Sequence, residues 1–352
     1  MLLTVVSFIG VLAVLVVVHE LGHFLTAKAF GVKVLEFGIG YPPRLFGIRR
    51  GETLYSLNLL PLGGFVKMEG EVAPDSPRSL ASKGTGTRFV VMAAGAFMNA
   101  LLPILIFSVL FMVPQRTLAG DVQVQAVAPD SPAQRAGFQV GDRILRVDGR
   151  AIENNLDLSY LIMLNLGAQT TFQVQRSDGT HTLYAVPRWK PPEGQGATGI
   201  TVETLNLHEV SHRYPPWVAV PKAFQKLGDV LVLAKNEITR WITGASRVQM
   251  AGPLGIAQMT GEVARAGGIV PLLEFIALLS INLAIFNILP IPMLDGGRIT
   301  FVVIEWVRRG KRIPPEREGL VHMIGFALLI ALAVVITYFD LLRIVRGESF
   351  LR

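Results

Sequence analysis

Val16-Val17-Val18-His19-Glu20-Leu21-Gly22-His23 decides how this chain is read, because one pattern ends and another begins inside it. Behind it, Leu2 to Val18 gives 17 residues without a charge. That approaches the roughly 20 that cross a ~30 Å hydrocarbon layer. The segment lacks a basic start and a small-residue cleavage site, so it reads as a span and not a signal peptide. Working outward, Phe89 to Val113 is 25 residues without a charge. Leu272 to Leu294 is apolar apart from Glu274, and Leu320 to Phe339 has no Lys, Arg, Asp or Glu. The reading is a polytopic α-helical membrane protein with four transmembrane helices. Composition agrees: of 352 residues 51% are hydrophobic and 17% charged, with mean hydropathy +0.47, whereas a soluble domain carries about 25% charge. With no cysteine there are no disulfides, thiolate ligands or cysteine nucleophiles, and any metal must be held by carboxylates or by the six histidines.

The net charge of +7 is distributed as a topology signal. Nine Lys/Arg lie from Lys28 to Arg88 and six from Arg298 to Arg317. Both loops are cytoplasmic under the positive-inside rule, which sends both termini and residues 114–271 outward. No continuous basic face suggests a nucleic-acid partner.

The outward segment turns globular. Val122 to Val127 alternates as a strand, and Ser131-Pro132 opens a short helix that Gly137 closes. Strands are expected at Ile144–Val147, Thr171–Arg176 and Thr182–Val186, with a helix from Asp157 to Leu166. The run Ser131-Pro132-Ala133, Ala136-Gly137, Gly141-Asp142-Arg143-Ile144 and Val147-Asp148-Gly149 resembles the signature of bacterial PDZ domains. Such an α+β domain takes a peptide as an added strand. Arg188 to Pro216 is Pro- and Gly-rich and reads as linker. Phe224, Leu227, Leu231, Ile238 and Trp241 then recur at helical spacing, either on the membrane interface or against the PDZ domain. The expected organisation is a first half of the membrane core at 1–113, including a β-loop at 31–88. A PDZ domain at 114–190 and a linker with an amphipathic helix at 191–271 follow, and 272–352 supplies the second half of the core.

His19-Glu20-Leu21-Gly22-His23 matches the HExxH pattern, and so does His208-Glu209-Val210-Ser211-His212. On a helix, residues i and i+4 share a face, so two imidazoles reach one ion and the glutamate reaches its water. The second copy follows an alternating strand-like stretch and precedes Pro215-Pro216, which leaves no room for helix. It reads as a coincidence. The first continues an apolar helix that places His19 about 26 Å along the span, near the cytoplasmic boundary. Ionisable clusters at such depth are functional by default.

A zinc hydrolase site needs a third protein ligand and an open position. In Asn287-Ile288-Leu289-Pro290-Ile291-Pro292-Met293-Leu294-Asp295-Gly296-Gly297 the prolines break the third span near the boundary, at the depth of His19 and His23. Asp295 reads as a helix N-cap or as the third ligand, and the matched depth favours ligation. Asn287 is either a helix-packing amide or a donor to a scissile carbonyl, the second being preferred. His322, alone at the start of the fourth span, reads as interfacial.

Together these residues resemble the site-2 protease family of intramembrane zinc proteases, most closely the bacterial regulator-of-sigma-E protease type. The matches are His19-Glu20-Leu21-Gly22-His23, Asn287 with Pro290-Ile291-Pro292 and Leu294-Asp295-Gly296, and the PDZ domain between spans two and three. Gly95-Ala96-Phe97-Met98-Asn99 resembles the family's Gly-x-x-x-Asn, and Gly63-Gly64-Phe65-Val66-Lys67-Met68 its membrane-associated β-loop. The chain has room for one PDZ domain where the proteobacterial type has two.

The resemblance implies Zn²⁺ held by His19, His23 and Asp295, Glu20 as general base, and Asn287 at the oxyanion. It implies cleavage of a single-pass membrane protein within its transmembrane helix in the bacterial inner membrane, the active site lying near the cytoplasmic side. An upstream site-1-type protease would act first, as in release of an anti-sigma factor or clearance of signal-peptide remnants. Gly63, Gly64, Phe65, Val66, Asn99, Pro290 and Pro292 are the expected substrate-contacting positions. Asn99 either lines the channel or lets spans one and two approach closely, packing being slightly preferred, and the β-loop edge would hold the unwound substrate extended. The rival reading is a membrane-anchored PDZ scaffold or chaperone with a vestigial zinc site.

Overall fold

Uncharged residues with few helix breakers continue into the histidine pair as one helix, α1 (Leu2–Ala29), which Gly31 closes at φ 68°. The computed structural model describes residues 2–71, 74, 76–246 and 250–347. Residues 1–107 with 250–352 form one compact unit, and residues 108–249 another.

In the first unit, α1 leads into β1 (Val34–Arg50) and β2 (Thr53–Met68). Glu36–Ile39 has neighbours on both sides, Gly64–Lys67 on one and Leu54–Leu57 on the other. The far ends pair as a hairpin from Arg44↔Asn58 to Arg50↔Thr53. α2 (Thr85–Met112) follows a short 3-10 turn at Leu80–Ser82. After the second unit come α6 (Pro253–Gly267), α7 (Ile269–Ile288), α8 (Asp295–Val307) and α9 (Pro315–Val345). Among the described residues, α1, α2, α7 and α9 are long and apolar enough to cross a membrane.

The first unit's core joins Ala27, Val32, Val34, Val66, Leu80 and Val91 to Ile299 and Val302 of α8. Burying an aliphatic side chain of this kind is worth about 1.5–3 kcal/mol. Beside it lies a buried ion pair, Arg88 Nη1 to Glu305 Oε2 at 2.6 Å. Arg312 Nε reaches the other Glu305 oxygen at 3.0 Å and its Nη2 donates to the Ala81 carbonyl. α8 is therefore fixed along its length, which places its first residue, Asp295.

The second unit is built on a sheet of order β7-β6-β4-β3-β8, with β5 (Arg150–Ala151) paired to β4. Its strands are β3 (Gln115–Val127), β4 (Arg143–Val147), β6 (Thr170–Arg176), β7 (Gly179–Ala185) and β8 (Ile200–His212). Two short helices cover it. In α3 (Pro132–Ala136) the Ser131 hydroxyl accepts from Gln134 N–H and Gly137 closes at φ 83°. In α4 (Asn155–Leu164) Asn154 accepts from Asp157 N–H. The core is Val122, Val124, Ile144, Val147, Leu158, Phe172 and Val174, with Phe138 edge-on to Phe172 at 5.3 Å.

Two expected boundaries change. A PDZ domain ending at 190 leaves out β8, which pairs with β3 from Val127↔Ile200 to Gln115↔His212. The Pro- and Gly-rich stretch before β8 is a connection inside the sheet unit, not an exit from it. The amphipathic helix α5 (Pro216–Ile242) lies against this same unit. Asn236 Nδ2 donates to the Met163 carbonyl at 2.8 Å, and Asp229 accepts from Tyr160 and pairs with Arg150. Residues 253–267, expected within the linker segment, form α6, which packs against α1. The third apolar segment stops being helical at Ile288, ahead of the two prolines expected to break it, since Leu289 precedes a proline and is extended at ψ 146°.

Candidate active site

His19 and His23 stand one turn apart on α1, their ring centroids separated by 4.9 Å. Two glycines let α2 approach them. A Cβ at Gly22 would lie 2.7 Å from the Ala94 carbonyl carbon, and one at Gly95 would lie 2.6 Å from His19 Nε2. His23 Nδ1–H donates to the Val91 carbonyl at 2.8 Å, which leaves the Nε2 lone pair free to ligate. His19 Nδ1 faces the Asn99 amide, with Nδ2 placed at 3.2 Å and Oδ1 buried without a partner. Exchanging the two ends of the amide lets Oδ1 accept from Nδ1–H and gives His19 the same tautomer as His23. Asn99 itself is wholly buried, and its carbonyl accepts from the Ser280 hydroxyl of α7 at 2.7 Å. A side chain with no exposed surface does not fit the substrate-contacting place expected for it; Asn99 faces His19 instead.

The third group comes from 272 residues away. Asp295 Oδ2 is 3.0 Å from His19 Nε2 and 3.2 Å from His23 Nε2, and the two Nε2 atoms are 3.2 Å apart. A tetrahedral zinc with bonds of 2.0–2.2 Å separates its ligand atoms by roughly 3.3 Å. These three donors therefore suit one zinc ion. The side chains are 12%, 9% and 18% exposed, so water reaches the ligand set only narrowly.

The Val66 N–H of β2 faces the Glu20 carboxylate. The strand comes this close because Gly64 has no side chain: a Cβ there would lie 2.9 Å from Val16 Cγ1 and 3.4 Å from Glu20 Cγ. Of the other expected positions, Gly63 and Phe65 are partly exposed and Val66 is buried. Phe65 stacks on Tyr41 at 6.2 Å. Asn287 is buried in the last turn of α7, Pro290 is exposed, and Pro292 lies against Gly325 of α9.

The second HExxH copy falls on β8. His212 pairs there with Glu153 at 2.8 Å, while His208 Nδ1 meets the Asn206 carbonyl at 3.0 Å. Sequence reasoning missed the Val91 carbonyl, which has no residue code, and the buried Arg88–Glu305–Arg312 group. Three charges scattered over 225 positions give no local pattern.

Two histidines, a carboxylate on their shared face and a glutamate beside them form the donor set of a metal-dependent peptidase. The family model described as Peptidase family M50 matches residues 7–332, and the chain belongs to this family of site-2 proteases. It is a zinc metalloprotease, and Zn²⁺ is its cofactor. A Clostridium perfringens protein bearing a zinc-metalloprotease name is 37% identical over 331 residues, covering 93% of this chain and 95% of the relative. One from Rhizobium meliloti is 33% identical over 364 residues, covering 96% of each. Zinc metalloprotease RasP of Oceanobacillus iheyensis is 28% identical over 425 residues, covering 97% of this chain and 99% of the relative.

Proposed function

We propose that the chain hydrolyses a peptide bond within the transmembrane segment of a single-pass membrane protein, in the bacterial inner membrane. One observation carries this reading. The three zinc-suited donors converge to 3.0–3.2 Å within a unit whose four longest helices are apolar over their exposed faces. In α9 only 6% of the apolar window is buried, an arrangement that water disfavours and lipid does not.

His19, His23 and Asp295 would hold the metal. When bound, zinc lowers the pKa of a water toward 7 and polarises a carbonyl. Glu20 takes a proton from the attacking water as the C–O bond forms, and then gives it to the leaving nitrogen as the C–N bond breaks. The Val66 N–H faces the Glu20 carboxylate from β2. Asn287 donates to the scissile carbonyl oxygen. Asn99 and the Val91 carbonyl hold both imidazoles with Nε2 toward the ion.

A peptide bond in a helix is shielded, so the substrate must be extended before it is cut. The Gly64–Val66 segment pairs with β1 on one side and turns Val66 N–H toward Glu20 on the other. That outer edge lies where an unwound segment would satisfy its backbone. Tyr41, Leu45, Phe46, Ile48, Leu57 and Leu60 are exposed at the hairpin end, which suits a loop dipping into lipid. The basic loops support a site near the cytoplasmic side, with the PDZ-like segment outside.

The outer unit takes a peptide in the manner of a PDZ domain, by strand addition at the outer edge of β8, the end strand of its sheet. A groove of about 570 Å³ lies over the β3–β8 pair beside the start of α4, lined among others by Leu118, Asn155, Leu156, Thr204 and Leu207. The apolar stripe of α5, with Trp217, Phe224, Leu231 and Ile238 exposed, meets the lipid surface.

The test is the full chain in liposomes with a single-span reporter, its fragments mapped by mass spectrometry. Cleavage inside the apolar segment that Glu20→Gln abolishes is the expected result. Cuts confined to the soluble flanks, or equal cleavage by the variant, overturn the reading.

A further inference from the structure

The connection between α7 and α8 is short, and its hydrogen bonds can be accounted for one donor at a time. Pro290 and Pro292 have no N–H. Leu289 N–H donates to Phe286, Ile291 N–H to Leu289 and Leu294 N–H to Ile291, all within the loop or the end of α7. The remaining donor, Met293 N–H, leaves the loop altogether. It reaches His322 Nδ1 of α9 at 2.8 Å.

Met293 is also where the backbone is least at ease, at φ 80°, a left-handed conformation that side-chain-bearing residues avoid. Such a residue persists when its surroundings over-determine it. Two contacts on α9, three residues apart, do so. Pro292 lies against Gly325, where a Cβ would come within 3.0 Å of the Pro292 carbonyl oxygen. His322 holds the Met293 N–H, while its ring lies 5.4 Å from that of Phe301 on α8. The turn so held ends two residues before Asp295.

We infer that His322 is a positioning residue of the active site: it accepts the Met293 N–H and thereby fixes the turn that presents the Asp295 carboxylate to His19 and His23. The inference rests on Asp295 being a zinc ligand. His322 touches neither ion nor substrate. Its proton sits on Nε2, because Nδ1 is the acceptor. An asparagine at 322 places an amide oxygen where Nδ1 stands, whereas a glutamine places its amide where Nε2 stands.

The experiment uses the purified full chain in lipid nanodiscs and compares His322→Ala, His322→Asn, His322→Gln and Asp295→Ala. One readout is the rate of zinc loss to excess EDTA. The other is hydrogen exchange of residues 289–297 in zinc-stripped protein, which is independent of the metal. Losing a group that orients a ligand costs about 10- to 100-fold in metal affinity. The expected result is zinc loss accelerated about tenfold or more in His322→Ala and His322→Gln, with faster exchange across the loop. His322→Asn should stay within about threefold of the parent. Parent-like zinc loss and exchange in His322→Ala overturn the inference. So does equal behaviour of the asparagine and glutamine variants, and that pair decides alone if the alanine variant does not fold. Asp295→Ala separates the two premises. If it keeps zinc as the parent does, the ligand reading itself fails. If it loses zinc while His322→Ala does not, only the role of His322 fails.

Discussion

The chain writes His-Glu-x-x-His twice, once in α1 and once in β8. At 1.5 Å per residue the helix brings its two imidazoles to an Nε2 separation of 3.2 Å. At about 3.3 Å per residue the strand sets equivalent positions roughly 13 Å apart along its axis. The surroundings differ as sharply. His19 and His23 are anchored through their second nitrogens, by Asn99 and by the Val91 carbonyl, and meet a carboxylate from a distant helix. His212 meets Glu153 on a surface where both side chains are more than a third exposed. The five residues carry chemistry only where periodicity and a third donor agree.

The strongest way to break this comparison is to exchange the two glutamates for glutamine. Glu20→Gln should lower peptidase turnover by about 10²- to 10⁴-fold, and Glu209→Gln should leave it unchanged within a factor of two, by rate of reporter cleavage. Metal content comes next. Alanine at His19 or His23 should strip zinc from the purified protein, while alanine at His208 or His212 should leave one zinc per chain by elemental analysis. A third test contrasts ion pairs. Glu305→Ala leaves Arg88 buried and unpaired and should cost about 3–5 kcal/mol. His212→Ala removes an exposed pair and should cost no more than about 1 kcal/mol. Denaturant unfolding of the full chain measures both.

The smallest effect concerns pH and the sheet unit. Burial alone would raise the Asp142 carboxyl, but Arg176 and the Gln139 N–H outweigh it and hold the group below the usual carboxylate range. Unfolding returns it to an ordinary value, so the unfolded chain binds more protons there. Stability from this contact is complete above about pH 4 and is lost as the pH falls below it. Asp142→Asn should flatten the acid limb of thermal unfolding without moving the neutral-pH zinc content.

What could be read from the sequence divides along lines of distance. His19, Glu20 and His23 are legible because one helical turn joins them, and Asp295 because prolines mark a broken span at matching depth. β8 was not read as part of the sheet unit. Its partner β3 lies 84 positions away at Asp121↔Leu205, and the glycines and prolines before it look like an exit from a domain. α6 was missed because its glycines and mixed polarity mask a helix that packing on α1 supports. The contact of His322 with a backbone N–H could not be read at all, since a main-chain donor has the same signature at every residue.

Gly95 carries a last consequence. A methyl group there would crowd the very nitrogens, His19 Nε2 and His23 Nε2, that face Asp295. Gly95→Ala would therefore compete with the ion for its own ligands. Such a chain would keep both histidines, the glutamate and the aspartate and still hold no metal. Inactive relatives can arise by a single added carbon, invisible to any search that scores only the histidines, the glutamate and the aspartate.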